Sequence, residues 1–65
     1  MNEIHNLMAE KNIDRIELQF RLGASVRVQL ISNAPRSCVE RELLFAPQAT
    51  VDTIYDEVKD ALRSM

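Results

Sequence analysis

The chain is short of everything that staples a small protein together. It holds one cysteine, Cys38, and one histidine, His5, among 65 residues. A disulfide framework and a clustered metal-ligand set are both excluded by those counts. With one glycine, Gly23, it has no glycine-rich loop to cradle a phosphate, and it carries neither zinc-ligand spacing nor a hydrolase nucleophile elbow. No run of about 18 apolar residues exists, so no membrane-spanning helix is expected. A basic stripe is also missing, which argues against direct nucleic-acid binding and against anionic membrane. The opening residues, Met1-Asn2-Glu3-Ile4-His5, lack the basic and then apolar blocks of a signal peptide. A lone thiol fits a reducing compartment. The expectation is a complete, cytoplasmic, non-enzymatic gene product with no cofactor and no metal.

What is present makes one small domain, residues 1–65. A chain of this size buries only about 60% of the surface its unfolded form exposes, so it depends on good packing or on self-association, as a monomer or a homodimer. The net charge is −2, and its placement is informative. From Thr50 onward four acids (Asp52, Asp56, Glu57, Asp60) face two bases (Lys59, Arg63), whereas the rest of the chain is balanced.

Local patterns divide the chain into five elements. Ile4, Leu7, Met8 and Lys11 share one face of a helix over residues 2–12, with Asn2 as its cap and Glu3 favourable in its first turn. From Arg15 to Leu22 the residues Ile16, Leu18, Phe20 and Leu22 alternate with Arg15, Glu17, Gln19 and Arg21, the signature of a half-buried strand. Val26, Val28 and Leu30 repeat the pattern. A three-residue loop, Gly23-Ala24-Ser25, pairs Leu22 with Val26, Phe20 with Val28 and Leu18 with Leu30. An odd loop keeps all apolar side chains on one face, which a one-residue slip would destroy. Asn33-Ala34-Pro35 signals a turn. Cys38 to Ala46 then reads as a third strand, with Val39, Arg41, Leu43 and Phe45 on one face. Its expected partners are Leu30 for Val39, Val28 for Arg41, Val26 for Leu43 and Arg27 for Glu42, with Arg41 as an inward charge blunting an edge. Thr50 caps a final helix whose core stripe is Val51, Ile54, Tyr55, Val58, Ala61, Leu62 and Met65. The fold class is α+β, in the order α-β-β-β-α: a three-stranded antiparallel meander with both helices packed on one face and the other face wet.

Two clusters are candidate partner-binding sites. Asp52, Asp56 and Asp60 recur every four residues, so they form one ridge of the last helix, with Glu57 beside it. Like charges at this spacing cost roughly 0.2–0.5 kcal/mol per pair, offset by the helix N-terminus at Asp52 and by Lys59 and Arg63. The plainer account is a solvated face. The functional account notes that acids on successive turns sit roughly 6 Å apart, near the spacing of phosphates along a nucleic-acid strand. The second cluster is Arg21, Arg27 and Glu42 on the wet sheet face, where Arg21 and Arg27 are expected opposite each other. Ile31, Leu44 and Cys38 would add apolar area there. His5 reads as a surface residue, and Cys38 has no histidine placed to act as its base.

The α-β-β-β-α order resembles the double-stranded RNA-binding domain, which sets basic residues at the start of its last helix. Here Gln48-Ala49-Thr50-Val51-Asp52 has no cation and leads into acids, so RNA binding is not expected. As a very short, acidic, single-domain product without catalytic apparatus, the chain is also similar in type to the inhibitors that bacteriophages encode, particularly anti-CRISPR proteins. That likeness implies a protein partner, a DNA-binding Cas subunit, met by carboxylates acting as a DNA mimic. The alternative is a small homodimeric structural or regulatory module, or an antitoxin-like partner, using its sheet face or strand edges.

Overall fold

A computed structural model describes residues 2–33 and 35–65. Helix α1 spans Glu3–Lys11, strands β1, β2 and β3 span Ile13–Gln19, Val26–Ser32 and Cys38–Phe45, and helix α2 spans Val51–Arg63. The strands form one antiparallel sheet in the order β1-β2-β3. Both helices cover one face and the other is open, as the patterning predicts.

The helix boundaries follow from their caps. Asn2 Oδ1 accepts the His5 amide at 2.9 Å, and Thr50 Oγ1 accepts the Thr53 amide at 3.2 Å. Each satisfies an amide that has no carbonyl partner in the first turn. Helix α1 ends where Asn12 takes a left-handed conformation (φ 59°) and its amide turns back to Ala9 and Met8. Asparagine tolerates that conformation better than most residues, and the chain enters β1 at the next residue. The expected turn at Asn33-Ala34-Pro35 includes Ala34, which lies outside the described residues, as does Met1.

The core gathers Ile13, Val26, Val28, Leu30, Ile54, Val58, Ala61 and Leu62, with Ile4, Leu7 and Met8 of α1 packed against it. Val28, Leu30 and Leu62 are sealed completely.

The strand registers differ from those expected. Leu18 faces Val28 and Ile16 faces Leu30, so the β1–β2 pairing is shifted by two residues and β1 ends at Gln19. The connection is longer than the three-residue loop, although its odd parity holds and apolar still meets apolar. Gly23 (φ 72°) does serve a turn: the Ala24 amide donates to the Arg21 carbonyl at 3.1 Å, closing a turn with positive φ at its third position. That is the type II pattern, which favours glycine there.

In β3, Phe45 faces Val26, Leu43 faces Val28 and Arg41 faces Leu30, again two residues from the expected pairing. Arg27 sits across from Leu44 and meets Glu42 only diagonally. Glu42 lies directly across from Gln29.

Two bulges on either side of Ile31 in β2 explain the rest. Asp14 is the extra residue on β1 and Glu40 the extra residue on β3. A bulge reverses the face of everything beyond it. Ile13 therefore enters the core although it has the opposite parity to Ile16. Val39 pairs with Ile31 on the open face instead of sharing a face with Leu43, and Cys38 pairs with Ser32 on the helix side. Ser32 is buried, and its hydroxyl donates to the bulge residue Glu40 at 2.9 Å. Ile31 is buried outside the main core, so the open face is dry at this end.

Candidate functional site

The acidic ridge exists as the sequence spacing requires, because α2 runs unbroken from Val51 to Arg63. Asp56 and Asp60 keep 73% and 70% of their side-chain surface exposed. Of the neighbouring cations, Lys59 is drawn away from solvent and Arg63 stays about half exposed. Lys59 is only 22% exposed: its ammonium lies 3.5 Å from Asp56 and 3.9 Å from Glu3 of α1, and 5.4 Å from the centre of the Tyr55 ring. Arg63 pairs with Asp60 at 3.3 Å and with Glu3. Glu3 thus clamps α1 to α2 and also adds an acid to this surface. Five carboxylates (Glu3, Asp52, Asp56, Glu57, Asp60) stand against two cations, and the exposed edge of the group is anionic.

The second predicted cluster is divided by the structure. Arg27 Nε lies 3.6 Å from Glu42, and Gln29 donates to the same Glu42 oxygen at 3.1 Å. These groups occupy the open face near Leu44, which is 63% exposed. Arg21 is not with them. It lies in the β1–β2 connection, and the residue across from Arg27 is Gln19. The expected juxtaposition of Arg21 and Arg27 is therefore absent, and Arg27 pairs with Glu42 alone. Farther along the open face, Arg15 donates to Glu17 at 2.8 Å, which raises the guanidinium above its ordinary pKa. Ile31 and Leu44 do lie on this face, and Cys38 does not. The acidic ridge and the Arg27–Glu42 pair occupy opposite layers of the molecule.

Residues assigned to the core by periodicity supply the remaining surface. Val51 is 73% exposed, Phe20 66% and Leu22 fully, and Leu18 and Tyr55 are about half exposed. For Val51 and Tyr55 the cause is the length of α1. Helix α1 lies beside the C-terminal half of α2, through Glu3 to Lys59 and Arg63 and through Lys11, whose ammonium donates to the Met65 carbonyl at 2.9 Å. At nine residues it is roughly 14 Å long, too short to reach the N-terminal half of α2. Val51, Tyr55 and Lys59 share a ridge at four-residue spacing, and Lys59 turns that ridge toward α1. Leu18, opposite Val28, lies on the helix side of the sheet near the end of β1. Beyond the end of β1 a hollow of about 350 Å³ is lined by Phe20, Leu22, Val26 and Pro47. The legible signal was the mismatch between a three-turn helix and the sheet beneath it.

Among the described residues no group of three or more histidine, cysteine or acidic side chains is arranged to hold a metal ion. His5 and Cys38 are both exposed, and no helix is long and apolar enough to cross a membrane. Comparison of the chain with known protein families, curated proteins and solved structures finds no match.

Proposed function

We propose that this is a non-enzymatic binding protein that docks its acidic helix on a basic, nucleic-acid-handling surface of another protein and blocks it. In class it is an inhibitor of the anti-CRISPR type, with a DNA-binding Cas subunit as the kind of partner. The observation that carries this reading is the asymmetry on α2: Asp56 and Asp60 are about 70% exposed, while the cations paired with them, Lys59 and Arg63, keep 22% and 48%. A basic groove approaching this helix meets carboxylates first. Asp52, Asp56, Glu57 and Asp60 stand in for phosphates, and complementary charge of this kind chiefly raises on-rate and specificity. The Arg27–Glu42 region offers a second contact only to a partner that wraps both layers.

The test is capture from bacterial lysate by the tagged protein beside a variant carrying Asp52→Asn, Asp56→Asn and Asp60→Asn. The expected result is a nucleic-acid-handling protein held by the wild type and bound several-fold more weakly by the variant. Wild-type affinity should fall steeply with salt, and the melting temperatures should differ little. Equal capture by both proteins would refute the reading.

A further inference from the structure

Beyond that function, we infer that α1 is a latch: it opens as one unit about Asn12 while the sheet and α2 stay folded, and its docking keeps Lys59 out of solvent. The inference starts from how differently the two helices are held. Helix α2 buries Ile54, Val58, Ala61 and Leu62, and Arg41 of β3 donates to Ser64 at its end at 3.0 Å. Helix α1 buries none of its residues. It packs on β1 and α2 alone, through the partly buried side chains of Ile4, Leu7 and Met8. An element with so few buried apolar contacts opens at a free energy well below that of global unfolding.

The hinge is a single residue. Asn12 sits at φ 59° between Lys11 and Ile13, and Ile13 is buried in the core, so the start of β1 stays fixed when the helix leaves. A helix of nine residues is marginal alone in water, and undocking and unwinding therefore occur together. Polar tethers near each end oppose the opening: Glu3 to Lys59 and Arg63, and the Lys11 ammonium to the Met65 carbonyl at 2.9 Å. Glu3 and Arg63 are about half exposed, and ion pairs at such positions add little and weaken with salt. The chain's two lysines, Lys11 and Lys59, are thus both contacts of the latch. With α1 open, Lys59 loses its contact with Glu3, and the acidic surface loses one of its carboxylates. That a basic partner binds the closed form more tightly, and by linkage holds α1 closed, rests on the proposed function; the opening itself does not.

The experiment is native-state hydrogen exchange, resolved by residue with NMR over a range of low urea concentrations, on the wild type, Ile54→Val and Leu7→Ala. Limited acylation of lysine amines, read by mass spectrometry, accompanies it. In the wild type the amides of Leu7, Met8 and Ala9 should exchange at least about a hundredfold faster than those of Val28 and Leu30, after correction for intrinsic rates. Their dependence on urea should be slight, because opening exposes little surface. Ile54 lies in the half of α2 that α1 does not reach, so its packing survives the opening and is lost only in global unfolding. Ile54→Val should therefore speed exchange at Val28 and Leu30 several-fold and leave the α1 amides unchanged. Leu7→Ala loosens the latch without altering charge, and should raise α1 exchange and Lys59 acylation together, each several-fold. Circular dichroism monitors folding in every variant. Amides of α1 that exchange at the Val28 and Leu30 rates, or that respond to Ile54→Val as those do, would overturn the inference, since α1 would then open only with the whole molecule. Lys59 acylation unmoved by Leu7→Ala while the α1 amides accelerate would overturn the role given to Lys59. None of these measurements uses a partner, so a failed partner-capture experiment leaves the result standing.

Discussion

Leu62→Ala and Leu44→Ala remove the same atoms from two leucines in opposite surroundings. Leu62 is completely buried between α2 and the sheet, and Leu44 is 63% exposed on the open face. For Leu62 the cost combines lost transfer free energy with an unrelaxed cavity, and Leu→Ala at sealed sites runs to about 2–5 kcal/mol. For Leu44 only the buried third of the side chain contributes, below roughly 1 kcal/mol at the usual value per area of apolar surface. Total stability for a chain of 65 residues is about 3–10 kcal/mol. Leu62→Ala should therefore consume much of it, lowering the melting temperature by about 8–40 °C at about 4–8 °C per kcal/mol. Leu44→Ala should stay within a few degrees. Urea titration followed by circular dichroism measures both, and an unchanged slope confirms that the unfolded reference is the same. If Leu44→Ala were as damaging as Leu62→Ala, the open face would not be open, and the assignment of one layer of helices to one face would fail.

Two further substitutions test the backbone and the clamp between helices. Gly23→Ala should destabilise by about 1 kcal/mol, because the residue sits at φ 72° with nothing within 4 Å of an added methyl group, leaving backbone strain as the whole cost; an unchanged urea midpoint would show that the turn relaxes freely. Glu3→Gln should cost below about 1 kcal/mol, since Glu3 and its partner Arg63 are both about half exposed, and the difference from wild type should vanish in high salt; a loss that persists in 1 M salt would point to packing instead of charge.

The parts of the fold that could be read in the sequence were those decided by neighbours in the chain. Asn2 and Thr50 cap because a side-chain oxygen reaches an amide three residues on, and the alternation from Ile16 to Leu18 states a face directly. Registers were harder, since a shift of two residues preserves every apolar-on-apolar match and leaves only turn geometry to choose among them. The bulges at Asp14 and Glu40 were illegible for a similar reason. Ile13 has the wrong parity for the face it occupies, and nothing local marks the reversal. For the candidate site, the ridge of Asp52, Asp56 and Asp60 could be placed from helical spacing alone. Arg21 was misplaced with the hairpin register. Val51 and Tyr55 were assigned to the core because their spacing is correct for it, yet the stripe continues past the point where α1 can cover it.

The contact between the two helices has a consequence for how the protein comes into being. Glu3 meets Lys59 and Arg63, and Lys11 meets Met65, so the elements farthest apart in the chain close the core against each other. Contacts of such long range form late and slow a fold. During synthesis the three strands emerge before α2, and Val28 and Leu30, which are fully sealed in the finished molecule, have no cover from Ile54, Val58 or Leu62 until that helix has left the ribosome. For that interval the nascent chain is a sheet whose apolar face only α1 partly covers, the kind of species that aggregates or recruits a chaperone. Helix α2 is the element that ends that exposure.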